Sequence, residues 1–179
     1  MFRLSKLSHL AASAKNALTS RSSATTHQNL TTINTSVQTL TQTTQTYKGG
    51  LLAAASISSS EATLAQDIKN AISDAKASEM VSEAEANEIV KYIVEVLEVS
   101  IRACMQALGE KKEELKRAGL EGTVKGDMVD LRALTNDLGK ALLEKAPAGT
   151  RPEGEKAIKT IDEDFEETVK SFAASAAAA

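Results

Sequence analysis

Proline occurs only twice in this chain of 179 residues, and Pro147 and Pro152 lie close together. Because proline removes a backbone hydrogen-bond donor and clashes with the preceding helical turn, its scarcity elsewhere permits long, uninterrupted helices. Along the rest of the chain, apolar residues recur every three or four positions, which is the period of an amphipathic helix. The pattern therefore predicts an all-α protein.

Five segments carry this helical period. They predict helices over residues 28–48, 58–76, 82–118, 127–144 and 153–172. The apolar residues 51–57, which precede the second helix, are expected to form a helical turn or a helical continuation. Glycines and prolines separate the segments, and the connections are short. This predicts an antiparallel bundle of about five helices with a flexible N-terminal segment.

Two helix starts carry the spacing of a capping box, in which a serine and a glutamate three residues later satisfy each other's backbone N–H groups. Ser58 with Glu61 predicts the start of the second helix, and Ser82 with Glu85 predicts the start of the third. Gly119 is the stop signal expected after the third helix.

The N-terminal 27 residues differ from the rest of the chain, being rich in serine and basic residues and lacking acidic ones. This composition is typical of a mitochondrial transit peptide, and no continuous apolar run indicates a secretory signal peptide. A disordered tail, or a wrongly assigned start codon, would give the same pattern. The predicted domains are a targeting segment or disordered tail at 1–27, a helical bundle at 28–175 and a frayed C-terminus at 176–179.

The distribution of charge excludes some partners. Residues before Glu61 carry a net charge of +5 and the remainder carries −8, and an acidic body of this kind disfavours nucleic acid. The sequence contains no run of about 18 apolar residues, which is the length that a transmembrane helix requires.

Catalytic motifs are missing from the sequence. The two histidines, His9 and His27, have no metal-ligand partner at helical spacing. No nucleophile elbow, phosphate-binding loop or zinc-protease motif occurs. Cys104 lies in an apolar run, which predicts a buried hydrophobic residue and not a reactive thiol. We therefore predict no enzymatic activity, no cofactor and no metal.

Small side chains occupy many positions on the apolar stripes, among them Val37, Ala71, Val94 and Ala141, and aromatic residues make up only 3% of the chain. Small residues can let helices pack closely. They can also leave a void between helices, and a void lined by apolar side chains stays dry and accepts apolar ligands.

The order of these features along the chain resembles that of the fungal hydrophobic surface-binding protein A family, which includes cell wall galactomannoproteins. The similarity extends from about Leu30 to Phe172. Its elements are the stripe Leu30–Ile33–Val37–Leu40, Tyr47-x-Gly49-Gly50-Leu51, the apolar helix ending in Lys111-Lys112, Ala118-Gly119-Leu120, Val124, Asp127-Met128-x-x-Leu131-x-x-x-Thr135-x-x-Leu138, Ala141-Leu142, Ala146-Pro147, Ile161-Asp162-x-x-Phe165 and Phe172.

The resemblance implies a secreted or wall-associated helical protein that adsorbs to hydrophobic surfaces and holds a fatty acid inside the bundle. The expected partners are therefore a fatty acid or another apolar small molecule and hydrophobic surfaces. The residues expected to line the ligand are Val37, Leu40, Ile68, Ile72, Ile93, Leu97, Ile101, Leu131, Leu138, Ile161 and Phe165. The N-terminus, which lacks a secretory pattern, keeps an alternative open: an intracellular helical interaction module, for instance in mitochondria.

Overall fold

The computed structural model describes the backbone of residues 4–176 and the side chains of residues 22–173. The described backbone is helical except for short connections and contains no strand. Its elements are α1 (Leu4–Thr46), α2 (Leu51–Ala77), α3 (Glu83–Tyr92), a π-helical segment (Ile93–Leu97), α4 (Glu98–Glu110), α5 (Lys112–Arg117), α6 (Glu121–Lys145), a 3-10 turn (Ala148–Thr150) and α7 (Arg151–Ala176). Since α3, the π segment and α4 follow one another directly, five long helices are present, and the predicted all-α bundle is confirmed.

The five long helices form a closed ring around one core. Helix α1 contacts α2 and α4, α2 contacts α6, α6 contacts α7, and α7 contacts α4. Consecutive long helices run antiparallel, so two ends of the bundle can be distinguished. One end contains the α2–α3 and α6–α7 connections, and the other contains the α1–α2 turn and α5.

The core consists of the apolar stripes predicted from the sequence, except that Val94, predicted on a stripe, is 42% exposed. Its largest fully buried apolar side chains are Phe172, Leu30, Leu40, Leu115, Met128 and Leu131. Each of these residues contributes about 1.5–3 kcal/mol by leaving water.

The two predicted capping boxes had opposite outcomes. At Ser82, the Ser82 backbone N–H donates to Glu85 Oε2 at 2.9 Å and the Glu85 N–H donates to Ser82 Oγ at 3.4 Å, so this box is confirmed. The prediction at Ser58 is wrong, because α2 begins at Leu51 and passes through Ser58 without a break. Glycines 49 and 50, with φ of +105° and +89°, make the turn and place the helix start seven residues earlier.

Three further boundaries differ from prediction. Helix α1 begins at Leu4 and passes through the predicted boundary at residue 28. The long third helix ends at Glu110, and a separate short helix, α5, follows it. Helix α6 begins at Glu121, six residues before Asp127, because Gly119 at φ +73° ends the preceding helix and the next one starts at once. The role predicted for residues 1–27 stays a prediction, and residues 177–179 of the predicted frayed C-terminus lie outside the described residues.

The π segment interrupts a helix that the sequence predicts as continuous. The backbone N–H of Glu98 donates to the carbonyl of Ile93, five residues earlier, which is the hydrogen bond of a π-helix. One extra residue is thereby inserted into the turn, and the faces of α3 and α4 rotate relative to each other. Within the segment, Leu97 is buried and Ile93 is only partly buried.

Candidate functional site

An apolar cavity lies at the end of the bundle where α2 and α6 finish and α3 and α7 begin. The start of α3, the end of α6 and the start of α7 form most of its wall, and α1 and the α2–α3 connection complete it. Its apolar lining consists of Val81, Ala86, Ile89, Val90, Ile93, Gly139, Leu142, Leu143, Ala146, Gly154, Ala157 and Ile158. Four residues with polar groups also line it: Thr26, Ser78, Lys145 and Thr150.

The cavity is long and narrow. Its empty space, including open solvent at its edge, is about 590 Å³, but only about 60 Å³ admits the centre of a water molecule. The larger value falls within the range of about 300–1,000 Å³ that is usual for small-molecule sites, and the smaller value shows that the walls lie close together. Along α3 the lining extends from Ala86 to Ile93, which is about 10 Å at 1.5 Å per residue.

Two glycines shape the wall between α6 and α7. A Cβ atom at Gly139 would lie 2.7 Å from Ile158 Cγ1 and Cδ1, and one at Gly154 would lie 2.9 Å from Leu143 Cδ2. Each helix therefore inserts a branched side chain over a glycine of the other helix. These glycines hold Ile158 and Leu143 against the wall and out of the cavity.

A second gap continues from the cavity towards the core. It has an empty space of about 170 Å³ and is lined by Thr26, Asn29, Leu30, Ala71, Leu138 and Leu142. Thr26 and Leu142 line both spaces. The gap is too tight for water, so a ligand tail could enter it only if side chains such as Leu142 and Leu138 moved.

The end of the cavity beside the α2–α3 connection, called the mouth, is lined by Ser78, Val81 and Lys145. Lys145 holds this connection in place. Lys145 Nζ donates to the carbonyls of Lys76 at 3.0 Å and Ser78 at 2.8 Å. The backbone carbonyl of Lys145 accepts a hydrogen bond from the N–H of Val81 at 3.1 Å. A single residue at the end of α6 thus pairs with one backbone group in the last turn of α2 and two in the connection.

The eleven residues predicted to line the ligand lie mainly in the centre of the core. Nine of them are buried, Ile72 is partly buried against the core, and Ile93 is the one that lines the cavity. Leu138 lines the adjoining gap. Their contact with a ligand stays a prediction.

Sequence reasoning missed most of the cavity wall. Ala86, Gly139, Gly154 and Ala157 are small residues at the ends of three helices that meet there. The clustering of glycine and alanine near the Pro147–Pro152 break was a usable signal. The sequence could not show that these helix ends face one another, because that depends on the ring order of the helices.

Titratable residues do not form a metal site within residues 22–173. No group of three or more histidine, cysteine, aspartate or glutamate residues there could hold a metal ion. Cys104 is 1% exposed, and burial raises the pKa of its thiol to about 11. No helix within the described chain has a segment apolar enough to cross a membrane.

The strongest electrostatic feature joins α6 to α7. Arg132 Nε and Nη2 donate to the two carboxylate oxygens of Asp162 at 2.6 and 2.7 Å, and Asn136 Nδ2 donates to Asp162 at 2.6 Å. The hydrogen bond from Arg132 is the main reason that the pKa of Asp162 falls to about 2. This arrangement ties two helices of the cavity wall together and lies away from the lining.

The opposite end of the bundle exposes an apolar tip. Leu51 and Leu52, directly after the Gly49–Gly50 turn, are 68% and 94% exposed. Two consecutive leucines in water are unusual for a globular surface, where large apolar side chains normally occur singly. The tip lies beside α5, and Lys48, Leu51 and Arg117 line a shared surface depression.

Comparison with known proteins decides the family. The family model described as hydrophobic surface binding protein A matches residues 23–144, which is more than half of the chain. The chain belongs to this family. No curated protein matches it significantly in sequence.

Solved structures of this fold support the assignment. The crystal structure of AFMP4P in complex with palmitic acid has 30% identity and a TM-score of 0.81, covering 84% of this chain and 99% of that one. Ligand binding domain 1 of the Penicillium marneffei MP1 protein, complexed with arachidonic acids, has 18% identity and a TM-score of 0.77 over 82% and 95% of the two chains. Ligand binding domain 2 of the same protein has 19% identity and a TM-score of 0.77, covering 82% of this chain and 93% of that one. The MP1 domains, at this identity, show the shared fold alone.

Proposed function

We propose that this family member binds a single-chain lipid, such as a long-chain fatty acid, in the cavity between α3, α6 and α7. The observation that carries the proposal is the cavity itself, whose lining is apolar except for Thr26, Ser78, Lys145 and Thr150. The palmitic acid present in the AFMP4P crystal structure supports the same ligand class. Binding, and not catalysis, is the activity proposed.

The dimensions of the cavity define how a lipid would fit. An extended 16-carbon chain is about 20 Å long, given carbon–carbon bonds of about 1.5 Å, whereas the cavity is about 10 Å long. About eight methylenes would fit, worth roughly 6 kcal/mol of gross transfer free energy. The entropy lost when ligand and side chains become ordered would cancel several kcal/mol of this gain, which leaves only weak binding.

Tight binding therefore requires the tail to continue beyond the cavity. The adjoining gap offers the route, since it begins at Leu142 and extends towards Leu138. A tail in that direction would reach the core, where most of the residues predicted from the sequence lie. Side-chain movement at Leu142 would open the passage, so binding and a local rearrangement of the core are expected to occur together.

Calorimetry of the full chain with sodium palmitate tests this function. Replacing Ala86, which is buried and lines the cavity, with leucine should fill the space and weaken binding at least tenfold. Ala84→Leu adds the same side chain to an exposed position of the same helix and should bind like the wild type. If the wild type binds none of several chain lengths, or if A86L binds as tightly as A84L, the proposed site is wrong.

We also propose that the chain adsorbs to hydrophobic surfaces through its apolar tip, Leu51 and Leu52. These are the two most exposed large apolar side chains of the described residues. The charge around the tip permits close approach to an apolar surface. Residues 47–56 and 109–126, which form this end of the bundle, hold six basic and four acidic residues. The rest of residues 22–173 holds eleven basic and twenty acidic residues. The strongly acidic remainder stays hydrated more readily than the tip.

Adsorption to alkyl-coated beads separates the tip from the cavity. The double variant Leu51→Ser, Leu52→Ser should adsorb several-fold less than the wild type and bind palmitate normally. Val129→Ser removes another exposed apolar side chain, 46% exposed on α6, and should adsorb like the wild type. Equal loss in both variants would show that adsorption has no preferred surface.

We propose a secreted or cell wall location, which the family assignment favours over the intracellular alternative. The two locations differ in the targeting role that they require of the N-terminal 27 residues, and this role can be tested in the cell. A fluorescent protein fused to the C-terminus of the full chain should appear outside the cell or in the wall. Fluorescence in mitochondria would favour the alternative function as an intracellular interaction module.

A further inference from the structure

Lys145 brings a positive charge to the mouth of the apolar cavity. It is the last residue of α6, it lines the cavity, and its side chain is only partly exposed. Its ammonium group donates to two backbone carbonyls, those of Lys76 and Ser78, at 3.0 and 2.8 Å. Ser78 also lines the cavity, so the ammonium group lies at the boundary between the cavity and the α2–α3 connection.

The charge of Lys145 has no carboxylate partner within residues 22–173. Neither of its two hydrogen-bond acceptors carries a formal charge, and none of the eight ion pairs among the described residues includes Lys145. Two other basic residues of the same helix are paired, Arg132 with Asp162 and Glu166 and Lys140 with Asp137, whereas Lys125 belongs to none of the eight pairs. Because a lysine ammonium has three N–H donors, one remains available at Lys145.

An apolar cavity with one unpaired cation at its mouth is complementary to an anionic amphiphile. We propose that Lys145 binds the carboxylate headgroup of the cavity ligand, so that the site selects fatty acids over neutral chains of equal length. This inference rests on the proposed function. The ligand's carboxylate would accept a hydrogen bond from the third N–H of Lys145, and the two bonds to the carbonyls of Lys76 and Ser78 would remain.

The direction of the tail follows from the position of the headgroup. With the carboxylate at Lys145, the chain passes Leu142 one turn earlier on α6 and then reaches Gly139 and Ile93. This path leads from the mouth to the gap beside Leu138. The headgroup therefore stays near water while the tail enters the core, which is the arrangement with the smallest desolvation cost for the charge.

The experiment compares palmitate with 1-hexadecanol, which has the same tail and no charge, in the full-length protein. In the wild type, palmitate should bind about tenfold more tightly, the gain expected from one partly exposed charge-assisted hydrogen bond. In Lys145→Met this ratio should fall to about one, while the affinity for hexadecanol changes by less than about threefold. Lys140→Met, with its lysine exposed on the same helix and paired only with Asp137, should keep the wild-type ratio.

Each outcome distinguishes the headgroup role from a structural one. If Lys145 serves only to hold the α2–α3 connection, Lys145→Met weakens both ligands equally and leaves the ratio unchanged, which overturns the inference. Lys145→Arg, which retains the charge, should keep the preference for palmitate. Lys145→Gln retains amide donors for the two carbonyls and should lose the preference, and it replaces the methionine variant if that variant does not fold.

The wild-type measurements also separate this inference from the function on which it rests. Binding of hexadecanol and palmitate with equal affinity supports the cavity and overturns the role of Lys145. Binding of neither ligand overturns both.

Discussion

The side chain of Ile158 in α7 occupies the space that a Cβ atom would need at Gly139 in α6, where the separation would be only 2.7 Å. Carbon atoms pack at about 3.5–4.0 Å, so a side chain at Gly139 must displace Ile158. Because Ile158 lines the cavity, this contact couples the packing of the two helices to the shape of the site.

Substituting Gly139 with alanine should therefore destabilise the protein although alanine is the better helix former. Overpacking costs about 1–3 kcal/mol, and the gain in helix propensity is about 1 kcal/mol, so the free energy of unfolding should fall by about 1 kcal/mol. Urea unfolding measures this change. Palmitate binding should weaken as well, since Ile158 would move into the cavity.

Gly126 provides the matched control for this substitution. It lies in the same helix, and a Cβ there would meet nothing within 4 Å. Gly126→Ala should therefore raise the free energy of unfolding by about 0.5–1 kcal/mol. If both alanine variants gained equal stability, Ile158 in α7 would be able to move away from a side chain at position 139 without loss of stability. The interlocked packing of α6 and α7 would then be wrong.

The capping box at Ser82 should contribute measurably to stability, because its two hydrogen bonds satisfy N–H groups at the start of α3. Ser82→Ala is expected to lower the free energy of unfolding by about 1 kcal/mol. Ser58→Ala alters a serine that the sequence pattern also marks as a cap but that lies inside α2. Alanine is favoured in a helix interior, so this variant should be neutral or slightly more stable.

Thermal and urea unfolding of the two serine variants give the comparison directly. A loss of stability in Ser58→Ala equal to that in Ser82→Ala would indicate that α2 begins at Ser58 after all.

The ion pair between Arg132 and Asp162 should make stability depend on pH in acid. Hydrogen bonds from Arg132 lower the pKa of Asp162 from 3.8 to about 2 in the folded protein. A carboxyl group whose pKa is depressed by folding stabilises the protein above its unfolded pKa and loses that contribution as pH falls through its folded pKa. The contribution is therefore present above about pH 4 and lost towards pH 2.

Unfolding measured against pH in the wild type and Asp162→Asn tests this assignment. Because the Asp162 side chain is 26% exposed, solvent screening reduces the pH-dependent part to about 1–2 kcal/mol. The difference between the two proteins should shrink as pH falls from 4 to 2. The control is Glu163→Gln, at an exposed position paired only with Lys159. Its free energy of unfolding should differ from that of the wild type by less than about 0.5 kcal/mol at every pH. A difference between Asp162→Asn and the wild type that does not change with pH would refute the shifted pKa.

Cys104 should react with thiol reagents only when the bundle opens. Its side chain is 1% exposed and burial raises its pKa to about 11, so at pH 8 very little thiolate is present and reagents have no access. Labelling by an aromatic disulfide should be slow in buffer and rapid in denaturing urea. Rapid labelling of the folded protein would contradict the buried position.

Much of the fold could be predicted from the sequence because it depends on local patterns. The stripe Leu30–Ile33–Val37–Leu40 is buried as expected, and so are Ile161 and Phe165. The prediction failed at boundaries where two local signals competed. At Ser58 the box pattern was present, but the Gly49–Gly50 turn had already started the helix at Leu51.

The candidate site could be predicted far less well. A periodic pattern identifies which face of a helix is buried, but it does not identify which neighbour that face meets. The sequence-based list therefore placed the ligand among the largest buried side chains, whereas the cavity lies where small residues of three helices converge. Ile93 belongs to both sets because it continues the apolar face of α3 that Ala86, Ile89 and Val90 turn towards the cavity.

The sequence by itself determined the all-α class, the apolar faces, the cap at Ser82 and the family. These properties depend on residue type and on spacing within a few turns of one helix. Only the tertiary structure decided that Gly139 faces Ile158 and that Lys145, which pairs with no carboxylate of residues 22–173, lies at the mouth of a cavity. Both relationships join residues that are brought together by the ring order of the helices, and no local periodicity encodes that order.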